Sequence, residues 1–161
     1  MTPSFAQSVD PFAQSARDSK RSLVDLVPVV PGTFPAPESQ VVAKELAATP
    51  PSELNLRCQG FLTALGQAAK LRKDAAALLD TETAIDRLQT ALVNEAVAAT
   101  DAGYSMKDRL ALAKKAAIGM LPKAKEQAVR FVQLLREPSK ADAQTLANQE
   151  AVCGAVLKAV K

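Results

Sequence analysis

The chain has no histidine, no tryptophan, one tyrosine and only 4% aromatic residues. Lacking histidine, it lacks the side chain that most often acts as a general base near neutral pH and the commonest metal ligand. Hydrolytic triads built on imidazole are therefore excluded. Cysteine is almost as scarce. Cys58 and Cys153 sit in apolar patterns and make neither a CxxC unit nor a zinc spacing. Two such residues in a chain of 161 do not suggest a disulfide-dependent scaffold, so buried thiols are the expectation. The six glycines form no GxxxxGK or GxGxxG arrangement that could cradle a phosphate. There is no run of about twenty apolar residues, so no transmembrane span is expected. The opening residues include Asp10 and Asp18, with no basic stretch leading into an apolar one, unlike a secretory signal. A reducing intracellular compartment, or a place in a larger particle, is expected ahead of the secretory pathway.

What is abundant is alanine, about a fifth of the chain. Alanine raises helix propensity but brings little apolar area per residue. A core built from it needs helices that approach closely, or further burial against another subunit. The formal net charge of +3 is too small to argue for nucleic acid by itself. Its distribution says more, since residues 101–137 hold eight basic and four acidic groups.

Eight of the ten prolines fall between Pro3 and Pro51, which rules out a continuous helix or a central strand there. Residues 1–37 are read as an extended arm and 38–161 as a helical domain. Within the arm, Phe5-Ala6-Gln7-Ser8 recurs as Phe12-Ala13-Gln14-Ser15. Ser15 and Asp18 have capping-box spacing for a short helix over 16–25. The following tract, with Leu23, Val24, Leu26, Val27, Val29 and Val30, is too apolar for a segment surrounded only by water. Together with Phe5 and Phe12 it is the expected partner-binding element.

The stretch 51–100 carries two helical patterns. In the first, Leu54, Cys58, Phe61, Leu62, Leu65, Ala69, Ala76 and Leu79 recur at steps of three and four; in the second, Ile85, Leu88, Leu92, Ala96 and Ala99 do. A turn at Asp80-Thr81 is expected between them, with one bent helix of nearly fifty residues as the alternative. Thr49-Pro50-Pro51 should end one helix and start the next. Gly103 is expected to close the second long helix with a positive φ, and Tyr104 to cover the junction. Ser105 with Asp108, and Ser139 with Asp142, mark later helix starts, while Pro122 should kink or restart the chain. Leu110, Ala113, Ala117 and Leu121 make one apolar stripe, Ala124, Ala128, Phe131, Val132 and Leu135 another, and Leu146, Cys153, Leu157 and Val160 a last one.

The expected architecture is all-α: about five helices in an irregular or antiparallel bundle behind a proline-rich arm. The carboxylate pairs Asp80/Glu82, Asp86/Glu95 and Asp108/Glu126 read as helix ends and solvated faces, so no enzyme, metal or cofactor is expected. The function expected is that of an assembly or interaction protein, homo- or hetero-oligomeric, docking neighbours through the arm and its apolar helix faces. The alternative is a nucleic-acid-binding module in which Lys107, Lys114, Lys115, Lys123, Lys125, Arg130 and Arg136 neutralise phosphates.

Overall fold

The computed structural model describes residues 34–136 and 138–160. Among them are five helices and no strand: α1 (Ser39–Ala48), α2 (Pro51–Leu71), α3 (Ala75–Ala99), α4 (Met106–Arg136) and α5 (Lys140–Ala159). The all-α expectation holds. The expected arm residues Phe5, Phe12, Leu23, Val24, Leu26, Val27, Val29 and Val30, and the short helix over 16–25, lie outside the described residues.

Helix α2 is the centre of the bundle. It packs against α4, α3 and α5, and its buried residues include Asn55, Leu56, Gln59, Gly60, Ala64, Gly66 and Ala68 as well as the stripe from Leu54 to Ala69. A helix with so many buried residues must satisfy the polar ones internally. Asn55 does so by donating from Nδ2 to the Leu88 carbonyl at 2.9 Å and accepting from Gln59 Nε2 at 2.7 Å. The alanine-rich composition and the glycines permit the close packing. A Cβ built at Gly60 would lie 2.6 Å from Gln127 Cβ and 2.7 Å from Ala128 N of α4, and one at Gly66 would lie 2.8 Å from Thr81 Oγ1 of α3. The few large side chains gather where they meet: Phe61 and Phe131 pack edge to face at 5.2 Å, with Leu88, Leu135 and Leu146 fully buried nearby.

The helix boundaries correct three expectations. The turn is not at Asp80, which is exposed inside α3, and α2 and α3 are not one bent helix. The break comes at Arg72-Lys73-Asp74. Lys73 takes φ 60°, the N–H of Asp74 reaches the Ala69 carbonyl at 2.9 Å, and that of Lys73 the Lys70 carbonyl at 3.1 Å. This is a Schellman closure with lysine in the place usually held by glycine. Asp74 then caps α3 by accepting from the Ala77 N–H at 3.0 Å. The phase of the apolar pattern resets at this turn, which is why Ala76 and Leu79, continuations of the α2 stripe in sequence, are exposed.

Secondly, Gly103 follows the end of α3 as expected, but no described glycine has a positive φ; its N–H donates instead to Asp101 Oδ1 at 2.9 Å. Tyr104 beside it is exposed rather than packed over the junction. Thirdly, Pro122 does not restart the chain. Helix α4 runs through it for 31 residues, roughly 46 Å. Elsewhere the local signals are as read: Pro51 opens α2, Ser139 and Asp142 form a complete capping box, and Ser105 Oγ accepts from the Asp108 N–H at 3.2 Å.

The expectation of free thiols is overturned. Cys58 of α2 and Cys153 of α5 form a disulfide with Cα atoms 5.4 Å apart. Both residues do lie in the core, as their patterns indicated, but two stripes separated by 95 positions meet only once the helices cross. The expected reducing compartment rested partly on those thiols and loses that support. Gln149 lies over the bridge, donating from Nε2 to Cys153 Sγ at 3.1 Å.

Residues before α1 run along α5: the Glu38 N–H donates to Asn148 Oδ1 at 2.8 Å, Gln144 Nε2 donates to the Ala36 carbonyl at 2.9 Å, and Phe34 packs against the main core. At the far end of α5, Arg87 of α3 donates to the carbonyls of Leu157 and Val160, a cation placed where the helix C-terminus favours one.

Half-buried in α5, Glu150 has its carboxyl pushed above the ordinary range by desolvation. Its folded-state value thus exceeds the unfolded one. The stability this contributes is fully present below the ordinary carboxylate range and is lost as pH rises through the raised value. Glu150→Gln should show no such loss, so denaturant midpoints of variant and native chain should separate as pH rises through that window.

Candidate functional site

Helix α4 is two different helices in its packing. Its C-terminal half buries Ala124, Ala128, Phe131, Val132 and Leu135 against the bundle. Its N-terminal half buries only Ala113. Leu110, Leu112 and Leu121 are exposed there, Met106 keeps 64% of its surface in water and Ile118 65%. The stripe Leu110–Ala113–Ala117–Leu121 is therefore not a core stripe except at Ala113. Side chains of this size left in water on one half of one helix form an unpartnered apolar surface.

The open half of α4 is held in place by α3. Short turns make the two helices antiparallel, and Arg109 Nη2 donates to the Val97 carbonyl in the last turn of α3 at 2.9 Å. Between them is a groove of about 190 Å³, floored by Leu56 and Gln59 of α2 and walled by Gln89 and Val93 of α3 and by Lys114, Ile118 and Leu121 of α4.

Of the expected phosphate-binding residues, Lys107, Lys114 and Lys125 fall on one line, because α4 is continuous through Pro122. Lys115 is exposed on another side of the helix, and Arg136 is half-buried at its end. Lys123 and Arg130 line a second concavity of about 500 Å³, with Arg57, Glu53 and Glu126 also in its wall. There Arg57 forms an ion pair with Glu45 of α1. Burial, and secondarily the like charge of Arg130, hold its guanidinium below its ordinary value. Five of the seven cations thus divide between two surfaces, and Lys115 and Arg136 belong to neither. None of the five lysines forms an ion pair with a carboxylate among the described residues.

The carboxylates of Asp80, Glu82, Asp86, Glu95, Asp108 and Glu126 are exposed. Among the described residues no group of three or more His, Cys, Asp or Glu side chains could hold a metal ion, and no helix is long and apolar enough to cross a membrane. The open apolar half of α4 was missed by sequence reasoning because its period is that of a core stripe. The one available signal was the interruption of that stripe by Lys107, Lys114 and Lys125 at the same helical register. Comparison of the chain with protein-family models, with curated proteins and with solved structures finds no match.

Proposed function

We propose that this chain is a non-enzymatic assembly or interaction protein that docks to neighbouring subunits through apolar helix faces, with the tract from Leu23 to Val30 as a second contact. The observation that carries this reading is the N-terminal half of α4, where Met106, Leu110, Leu112, Ile118 and Leu121 stand in water and Ile118 and Leu121 line a groove. Leaving such surface exposed forgoes about 25 cal/mol for each Å² that a partner could cover. A photo-reactive amino acid at Ile118 tests it in the native source, with Gln133, exposed elsewhere on α4, as the control position. The expected result is a covalent protein adduct from position 118 that is absent from position 133. No protein adduct at position 118 would sink the proposal.

One observation supports a second reading, nucleic-acid binding: the alignment of Lys107, Lys114 and Lys125 on an unbroken helix. Under that reading, binding to duplex falls steeply with salt and is lost on changing Lys114, Lys115 and Lys125 together. Absence of binding at low salt would dismiss it.

A further inference from the structure

We infer that the α3–α4 groove is the contact surface of a twofold dimer, its occupant being a second copy of this chain. The inference rests on the interaction reading above and names the partner. It starts from charge. Helix α3 holds four carboxylates and one arginine, whereas α4 holds eight cations and two carboxylates. These charges are arranged along the groove. On α3, Leu79, Glu82, Asp86, Gln89 and Val93 follow one another at steps of three and four and so share one side of the helix. On α4, Lys107, Leu110, Lys114, Ile118, Leu121 and Lys125 do the same. Gln89 and Val93 belong to one wall of the groove, and Lys114, Ile118 and Leu121 to the other. Beyond the lining itself, the α3 side of the groove is therefore continued by the acidic Glu82 and Asp86, and the α4 side by the basic Lys107 and Lys125.

This pairing selects among occupants. An anionic membrane, a nucleic acid or an acidic helix would be drawn to the lysine line and repelled by Glu82 and Asp86, which continue the opposite side of the groove along α3. A second copy carries both lines. A twofold axis parallel to the hairpin sets the α3 of each copy over the α4 of the other, antiparallel, as an isologous interface requires. At the heights set by the Arg109–Val97 contact, Glu82 then faces the other copy's Lys125 and Asp86 lies between that lysine and Lys114, while Val93, Ile118 and Leu121 of both copies close over the groove. Opposed lines of this kind fix register and partner choice around an apolar centre.

The test is a charge exchange read by sedimentation equilibrium, with circular dichroism confirming that each variant is folded. The native chain should be a dimer. E82K/D86K has two basic sides and K114E/K125E two acidic ones, so each alone should associate at least about tenfold more weakly, a difference of about 1.4 kcal/mol. Mixed in equal amounts, the two should recover the dimer, and photo-crosslinking from Ile118 should reach Val93 of a differently labelled copy. A native dimer whose exchanged variants do not recover on mixing would place the contact elsewhere and overturn the inference. A monomeric native chain would also overturn it. In that case an Ile118 adduct with a different protein would leave the interaction reading standing, and no adduct would remove both.

Discussion

Reducing the Cys58–Cys153 disulfide should lower the stability of this chain by about 4 kcal/mol. The bridge joins α2 to α5 across 95 positions, and closing a loop of that size removes about 4–5 kcal/mol of chain entropy from the unfolded state. Little in the rest of the molecule could offset such a loss, since a domain of this size has a total stability of roughly 5–15 kcal/mol. The measurement is denaturant unfolding with and without reductant. The native chain should show a large fall in midpoint on reduction. C58A/C153A should unfold near the reduced value and respond to reductant hardly at all. An unaltered midpoint for the native chain under full reduction would mean that the bridge does not stabilise the bundle. Helix α5 is the element most affected, because the bridge sits where it meets α2 and its C-terminal residues Val156, Leu157 and Val160 border the same core.

Gly60→Val should be nearly as damaging, for a reason that lies wholly in the folded state. The first added carbon would meet Ala128 N at 2.7 Å and Ala124 O at 2.8 Å, both backbone atoms of α4, so no side-chain rotation can relieve the clash. Helices α2 and α4 would have to separate, and overpacking of this kind costs about 1–3 kcal/mol, with valine at the upper end. The intrinsic preference of a helix for a larger residue over glycine, under about 1 kcal/mol, is too small to compensate. Gly119 supplies the opposite case. It is also within a helix, yet a Cβ there meets nothing within 4 Å. Gly119→Ala should therefore stabilise the chain by about 1 kcal/mol. Thermal or denaturant unfolding of the two variants, side by side, should give shifts of opposite sign. A Gly60→Val chain no less stable than the native one would show that close approach at Gly60 does not govern the packing.

These two positions also mark where the sequence was legible. Periodicity identified Leu54, Phe61, Leu88, Phe131 and Leu146 as core residues, because burying an apolar side is what makes a short helix stable in a protein. It could not say that α2 would be surrounded. Asn55, Gln59 and Gly60 lie outside its apolar stripe, yet all three are buried. Proline marks a helix boundary at Pro50-Pro51, whereas at Pro122 the chain does not restart, because α4 continues through it. The candidate surface was legible only in part. The lysine register of α4 was visible, but a stripe such as Leu110 to Leu121 looks the same whether a neighbour covers it or water does.

By itself the sequence determined the all-α class, the ends of most helices and the majority of core positions, since helix period and capping chemistry act over a few residues. Tertiary structure alone decided the rest. Lys73 became the turn between α2 and α3 because its N–H and that of Asp74 close on carbonyls of the helix end, with no glycine to announce it. Cys58 met Cys153 because α2 and α5 cross at that level. The N-terminal half of α4 was left open because α2 makes its close approach at Ala124 to Ala128, in the other half, while α3 runs beside the open half without covering its outer side.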